Sequence, residues 1–300
     1  MHPVTLQEPF RAVFYAPFYA ALARGAYAAE GVEVRLLSGA VPSLAKDVVL
    51  GGEADLAWGG PMRLLLAHDK DPACRLRLFG AVVMGDPFLI LGRAPRPDFA
   101  LTDLAALTFG TVSEVPTPWW TLQDDIRRAG LDPDSIRRVA DAGMDANAAA
   151  LLAGTIDCAQ LFEPYATRLE DAGCAVWYAQ ASRGPTSYTA FYARTDIIAA
   201  RRREFEAMVR GLATTLAWFV DASDEECARE IAIFFPDMVP SLLARCIGRY
   251  RSLGIWTETP RFPPEALARL ETAMLSAGAI SRTPGFAGLV AEEVTEAALA

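Results

Sequence analysis

Two imidazoles are present in this sequence, His2 near the N-terminus and His68 in "LLLAHDKD". A Ser-His-Asp or Cys-His nucleophile would have to use one of them. His68 falls where a helix is expected to end, a position that suits a positive charge against the helix dipole. The two lysines, Lys46 and Lys70, lie in no GxxxxGK[ST] loop, and no GxGxxG follows a strand. Nucleotide cradles of the usual kinds are therefore missing. Cys74, Cys158, Cys174, Cys227 and Cys246 form neither a CxxC pair nor a zinc spacing and read as isolated thiols. Carboxylate pairs such as Asp124–Asp125 and Glu225–Glu226 fall in polar helical stretches and read as solvated faces. Most common enzyme classes lose their usual residues, which shifts the reading toward binding.

The residues suited to binding cluster in four short stretches. "FRAVFYAPFYAALARGAYAAEG" places Phe10, Phe14, Tyr15, Phe18, Tyr19 and Tyr27 around one strand-to-helix turn. "WGGPM" (58–62) ends a strand with two glycines, which let a ligand approach backbone, and opens a helix with free N–H groups. The same residues also suit a plain tight turn. In "SEVPTPWW" (113–120) Thr117 can cap a helix with Pro118 at its first position. Trp119 and Trp120 then diverge by about 100°, so one can face a ligand while the other packs. The prolines remove N–H donors, which favours a flat, partly aromatic ligand over nitrate or phosphate. In "FEPY" (162–165) Glu163 either pairs with a ligand amine or pyrimidine amino group or caps the following helix.

Composition sets the wider limits. Three hundred residues call for two domains or one large one. The net charge of −9 and the absence of a basic stretch make nucleic acid a poor partner. No run of 18 apolar residues occurs, and no basic-then-apolar leader. The expected location is periplasmic or extracytoplasmic if a leader was removed, and cytoplasmic if Met1 is native.

The elements needed to position these residues alternate strand and helix. "RAVFY" reads as a strand, followed by an Ala-rich helix stopped at Gly31, then strand "VEVRLLS", a helix closing at Gly51–Gly52, strand "ADLAWGG" and helix "PMRLLLAHDK". Such alternation implies parallel pairing in a doubly wound sheet. A second βα series runs from about residue 90 to 185. Strand "YTAFYAR" and a mostly helical remainder return to the first domain, leaving a cleft between two α/β lobes.

At this level "APFYAALARGAYAAEGVEVRLL", "LGGEADLAWGG", "LTDLAALTFGTVSE" and "ALLAGTIDCAQLFEPYA" resemble, in order and spacing, the solute-binding proteins of the nitrate/sulfonate/taurine and thiamine-pyrimidine group. The resemblance implies an α/β fold of the periplasmic binding protein type II kind, with lobe 1 at 1–89 plus 190–300, lobe 2 at 90–189, and hinges near 88–92 and 187–191. It also implies delivery of a small-molecule ligand to an ABC permease and its ATPase, by a monomer with no cofactor or metal. The related thiamine-pyrimidine synthase carries a Lys and a His where alignment on Asp55 puts Gly59 and Arg63, so an enzyme of that type is not expected. In such a fold Phe14, Tyr15 and Phe18 line the cleft, joined by Trp58, Gly59, Gly60, Met62, Asp86, Thr117, Trp119 or Trp120, Met144, Glu163, Tyr165 and Tyr188. Arg63 and Arg183 are the groups to watch for a carboxylate or sulfonate ligand, though both read more naturally as surface residues.

Overall fold

The computed structural model describes residues 2–39 and 41–300. Ten strands divide between two five-stranded sheets. The first contains β1 (Val4–Gln7), β2 (Val34–Leu37), β3 (Leu56–Gly59), β4 (Leu76–Val83) and β10 (Thr189–Arg194), in the order β2-β1-β3-β10-β4. The second contains β5 (Leu89–Gly92), β6 (Thr108–Gly110), β7 (Arg137–Val139), β8 (Cys158–Leu161) and β9 (Ala175–Ala179), in the order β7-β6-β8-β5-β9. The core pairings β2-β1-β3 and β7-β6-β8 are parallel. The strands that enter from the other lobe are antiparallel to their neighbours: β10 to β3 and β4, and β5 to β8 and β9. A strand arriving from the far side of a crossing has no helix to turn it round, so the doubly wound pattern carries one reversed strand in each sheet.

The first expected strand is misplaced. "RAVFY" does not join a ladder; the first strand is "VTLQ", paired between β2 and β3, and Val13–Tyr15 form a 3₁₀ turn running into the helix Ala16–Ala23. All of Ala12–Tyr15 are buried, and a short, wholly buried apolar run has no periodicity to separate strand from turn. The consequence is functional, because this turn forms part of the cleft wall. Among the described residues, no helix is long and apolar enough to cross a membrane.

The chain passes between the sheets at 84–88 and again at 180–188. A buried charge cluster binds these two crossings together. Asp86, fully buried, accepts from the Phe88 backbone N–H at 3.0 Å, the Gln180 amide at 2.9 Å and the Thr121 hydroxyl at 3.1 Å, and pairs with Arg183. Arg183 also reaches Asp125 at 2.6 Å on the helix Thr117–Arg128. Burial pushes the Asp86 carboxyl up, and Arg183 opposes that shift. Both expectations for these residues fail: Asp86 faces the crossings rather than a ligand, and Arg183 is buried rather than on the surface.

Substituting Arg183→Met should therefore strand a buried carboxylate and destabilise the protein by about 3–5 kcal/mol. Urea denaturation reads this directly. A loss below about 1 kcal/mol, the value of an exposed pair, would contradict the assignment.

Candidate functional site

Between the two sheets lie two adjoining chambers that share Phe10, Pro42 and Val115. The inner chamber encloses about 40 Å³ and the outer about 320 Å³. Strand ends and helix starts position the inner walls, as expected of an α/β cleft. Gly59 closes β3, Gly60 precedes the helix Pro61–Lys70, and Met62 and Arg63 project from its first turn. A side chain at Gly59 would press on the Tyr192 ring, with only 3.1 Å between its Cβ and Tyr192 Cε1. Glycine there lets Tyr192 lie flat against the strand end and form part of the wall.

Aromatic rings dominate the inner chamber. Phe14 and Tyr15 meet at 4.3 Å, Phe88 and Tyr188 at 6.3 Å, and Phe162 touches both Phe14 (5.4 Å) and Phe88 (5.2 Å) edge to face. Two polar features stand out against these rings. The Tyr188 hydroxyl is buried without a hydrogen-bond partner. The Arg63 guanidinium is half-buried, and among the described residues it has no ion-pair or hydrogen-bond partner. Burial holds the Arg63 pKa below its ordinary value, against weaker opposing influences from Tyr192, Tyr15 and Asp47. A positive charge held in an apolar wall favours an anion.

The buried Glu163 of the outer chamber, and Glu8 behind it, are met within the protein, while the exposed Arg168 side chain on the same wall has no ion-pair or hydrogen-bond partner among the described residues. Glu8 is paired with Arg11 at 2.7 Å and accepts the Tyr19 hydroxyl at 2.8 Å. Glu163 accepts the backbone N–H and hydroxyl of Thr167, each at 2.9 Å, and pairs with Arg249 of the helix Pro240–Ser252. The Glu163 backbone N–H donates to the Tyr250 hydroxyl at 2.9 Å. Exposed Glu114 accepts the Met144 backbone N–H at 2.8 Å.

Phe14, Tyr15, Gly59, Gly60, Met62, Thr117 and Tyr188 lie around the inner chamber, and Met144, Glu163 and Tyr165 around the outer. Thr117 does not act as a cap: the helix begins at Thr117 itself, after Pro116, with no side-chain capping bond. The Glu163 carboxylate is consumed by Thr167 and Arg249, so it is not free for a ligand amine. Phe18 and Trp58 line neither chamber; they stack at 4.9 Å in the core beneath. Neither tryptophan of "PWW" lines a chamber. Trp119 packs near Phe109 under the Arg138 guanidinium, and Trp120 joins the apolar cluster of the first sheet and its helices. The helix turns both indoles onto its packed faces, one toward each lobe.

Several wall residues escaped the sequence reading: Phe88, Phe162 and Tyr192, together with Phe235 and Met238 from the C-terminal helical region. Tyr192 had a signal, since the expected strand "YTAFYAR" puts Tyr188 and Tyr192 four residues apart, where alternation places them on one side. Phe235 and Met238 had none, because their placement depends on long-range packing.

With this geometry the fold class is defined: two α/β lobes, two crossings and a cleft between them make a fold of the periplasmic binding protein type II kind. The chain belongs to the NMT1/THI5-like family, whose model matches residues 14–226. It is 24% identical to "Putative binding protein YtlA" of Bacillus subtilis (strain 168), covering 98% of this chain and 89% of that one. Its fold is similar to that of the periplasmic aliphatic sulphonate binding protein SsuA from Escherichia coli, with a TM-score of 0.76 at 14% identity over 94% of this chain and 90% of that one. It is also similar to the desulfurization enzyme DSZB, with a TM-score of 0.71 at 17% identity over 99% of both chains.

All eight tyrosines have phenol pKa values raised, chiefly by burial, with Tyr165 pushed up to about 12. Unfolded tyrosine ionises near 10, so the stabilisation is complete below pH 10 and fades as pH rises toward the folded values. Absorbance at 295 nm should therefore show less tyrosinate near pH 10 in the folded protein than in the denatured chain, while circular dichroism remains native. A tyrosine titrating near 10 in the folded state would contradict the burial described.

Proposed function

We propose that the chain is the solute-binding component of an ABC importer, capturing a small organic anion with an aromatic or heteroaromatic part. The observation that carries this reading is the half-buried Arg63 guanidinium, facing an aromatic chamber with no ion-pair or hydrogen-bond partner among the described residues, in a chamber that also holds the unpartnered Tyr188 hydroxyl. A guanidinium presents a planar fork that matches a carboxylate or sulfonate, and such charge-assisted bonds are about twice as strong as neutral ones. A pyrimidine precursor held through its amino group is less well supported, since Glu163 already serves Arg249 and Thr167. Family membership and the SsuA fold support a binding role outside the cytoplasm, with a permease and ATPase as partners. In this reading the lobes close over the ligand: Arg63 and Tyr188 receive the acidic group from one side, and Val115 and Thr117 cover it from the other.

The likeness to DSZB keeps an enzyme on the same scaffold as the second reading. Gly59 and Arg63 stand where the related synthase carries Lys and His, which weighs against that synthase's chemistry. The two readings separate by recovering the bound compound unchanged or altered.

Isothermal titration with benzenesulfonate and benzoate tests the binding reading. Arg63→Met should weaken both by about 1.5–3 kcal/mol, roughly 10- to 150-fold, with an unchanged melting curve. Equal binding of neutral benzyl alcohol, or no loss in Arg63→Met, would contradict it.

A further inference from the structure

The inner chamber, at about 40 Å³, accommodates little more than a compact acidic group, while the outer chamber, at about 320 Å³, continues from it past Phe10. A ligand anchored at Arg63 and larger than its head group must extend into that outer space. The outer walls are suited to a ring system. Phe10 and Phe162 lie at 6.3 Å with an interplanar angle of 32°, and Phe162 meets Tyr165 edge to face at 6.2 Å. Met144 and Met238 add polarisable side chains, the first from a second-lobe helix and the second from the C-terminal region. Thioethers and ring edges both favour aromatic partners over alkyl chains. Buried Glu163 is paired with Arg249 and Arg11 with Glu8, while Arg168 and Glu114 on this wall are exposed to water, so an uncharged body enters without stranding a buried ion.

We propose that the outer chamber is a second subsite, which takes the ring system of an elongated aromatic anion whose acidic group sits at Arg63. The inference rests on the binding reading above and adds a selection: aryl acids are preferred over inorganic anions, over short acids and over alkyl acids of equal length. Phe10, shared by both chambers, lies at the junction between head and body. Met238 acts as a specificity residue at the far end.

The test is isothermal titration of the full chain with four probes: methanesulfonate, hexane-1-sulfonate, benzenesulfonate and naphthalene-2-sulfonate. Affinity should rise from methanesulfonate through benzenesulfonate to naphthalene-2-sulfonate, with a total gain of roughly 10- to 100-fold for the added buried ring area. Hexane-1-sulfonate should fall well short of naphthalene-2-sulfonate. Met238→Trp, which fills the outer chamber, should abolish the aryl gain, so that naphthalene-2-sulfonate binds that variant no more tightly than methanesulfonate does. Should that variant fail to fold, Met144→Trp fills the same space from the second lobe.

Three results would overturn the second subsite while leaving the Arg63 anchor intact. One is equal affinity for methanesulfonate and the arenes. Another is equal affinity for hexane-1-sulfonate and naphthalene-2-sulfonate. The third is no change on filling the chamber. Failure of all four probes to bind would overturn the anchor, and the subsite with it.

Discussion

Asp86 and Arg183 sit where the chain crosses between the lobes, and much of the cleft geometry traces back to them. Each crossing contributes one member, and Asp125 brings in the helix Thr117–Arg128 as a third partner. Asp86 also accepts the Phe88 N–H, two residues along the same crossing, while Tyr188 closes the other. Both of those rings are walls of the inner chamber. The charge cluster thus sets where the lobes meet and where two of the rings that would meet a ligand stand. A buried ion pair is weak grounds for net stability, but leaving one member alone is costly. That asymmetry makes the cluster a strong constraint on arrangement.

Charge is distributed around the cleft on one pattern. Glu8 has Arg11, Asp86 has Arg183 and Glu163 has Arg249, each carboxylate almost wholly buried and each met by an arginine. Arg63 breaks the pattern. Its environment is aromatic, its pKa is lowered by burial, and among the described residues no carboxylate comes within ion-pair distance, Asp47 acting only weakly. Physical chemistry tolerates such a group when water or a ligand completes it. Its place by the open end of β3, in the chamber that also holds the Tyr188 hydroxyl, makes an anionic ligand the simplest completion.

The sequence revealed the alternation of strand and helix, the return of the chain near Tyr188 and the aromatic turn at 14–15, because these depend on local periodicity and punctuation. It misled at "RAVFY", where burial without periodicity looks alike in a turn and a strand. At "PWW" the reading rightly separated two indole directions about 100° apart, but packed surfaces lay in both, one in each lobe. Asp86 and Arg183 were noticed individually and misassigned, since nothing in sequence shows that residues 97 positions apart are paired. Phe18 and Trp58 were credited to the cleft because they flank residues that do line it. Their mutual stacking lies one layer deeper.

The most direct measurement is a crystal structure of the protein grown with benzenesulfonate. The account requires the sulfonate oxygens within hydrogen-bonding distance of the Arg63 guanidinium, with the ring pointing past Phe10 toward the outer chamber. A sulfonate bound elsewhere, or seated in the cleft while Arg63 turns out to solvent, would contradict it.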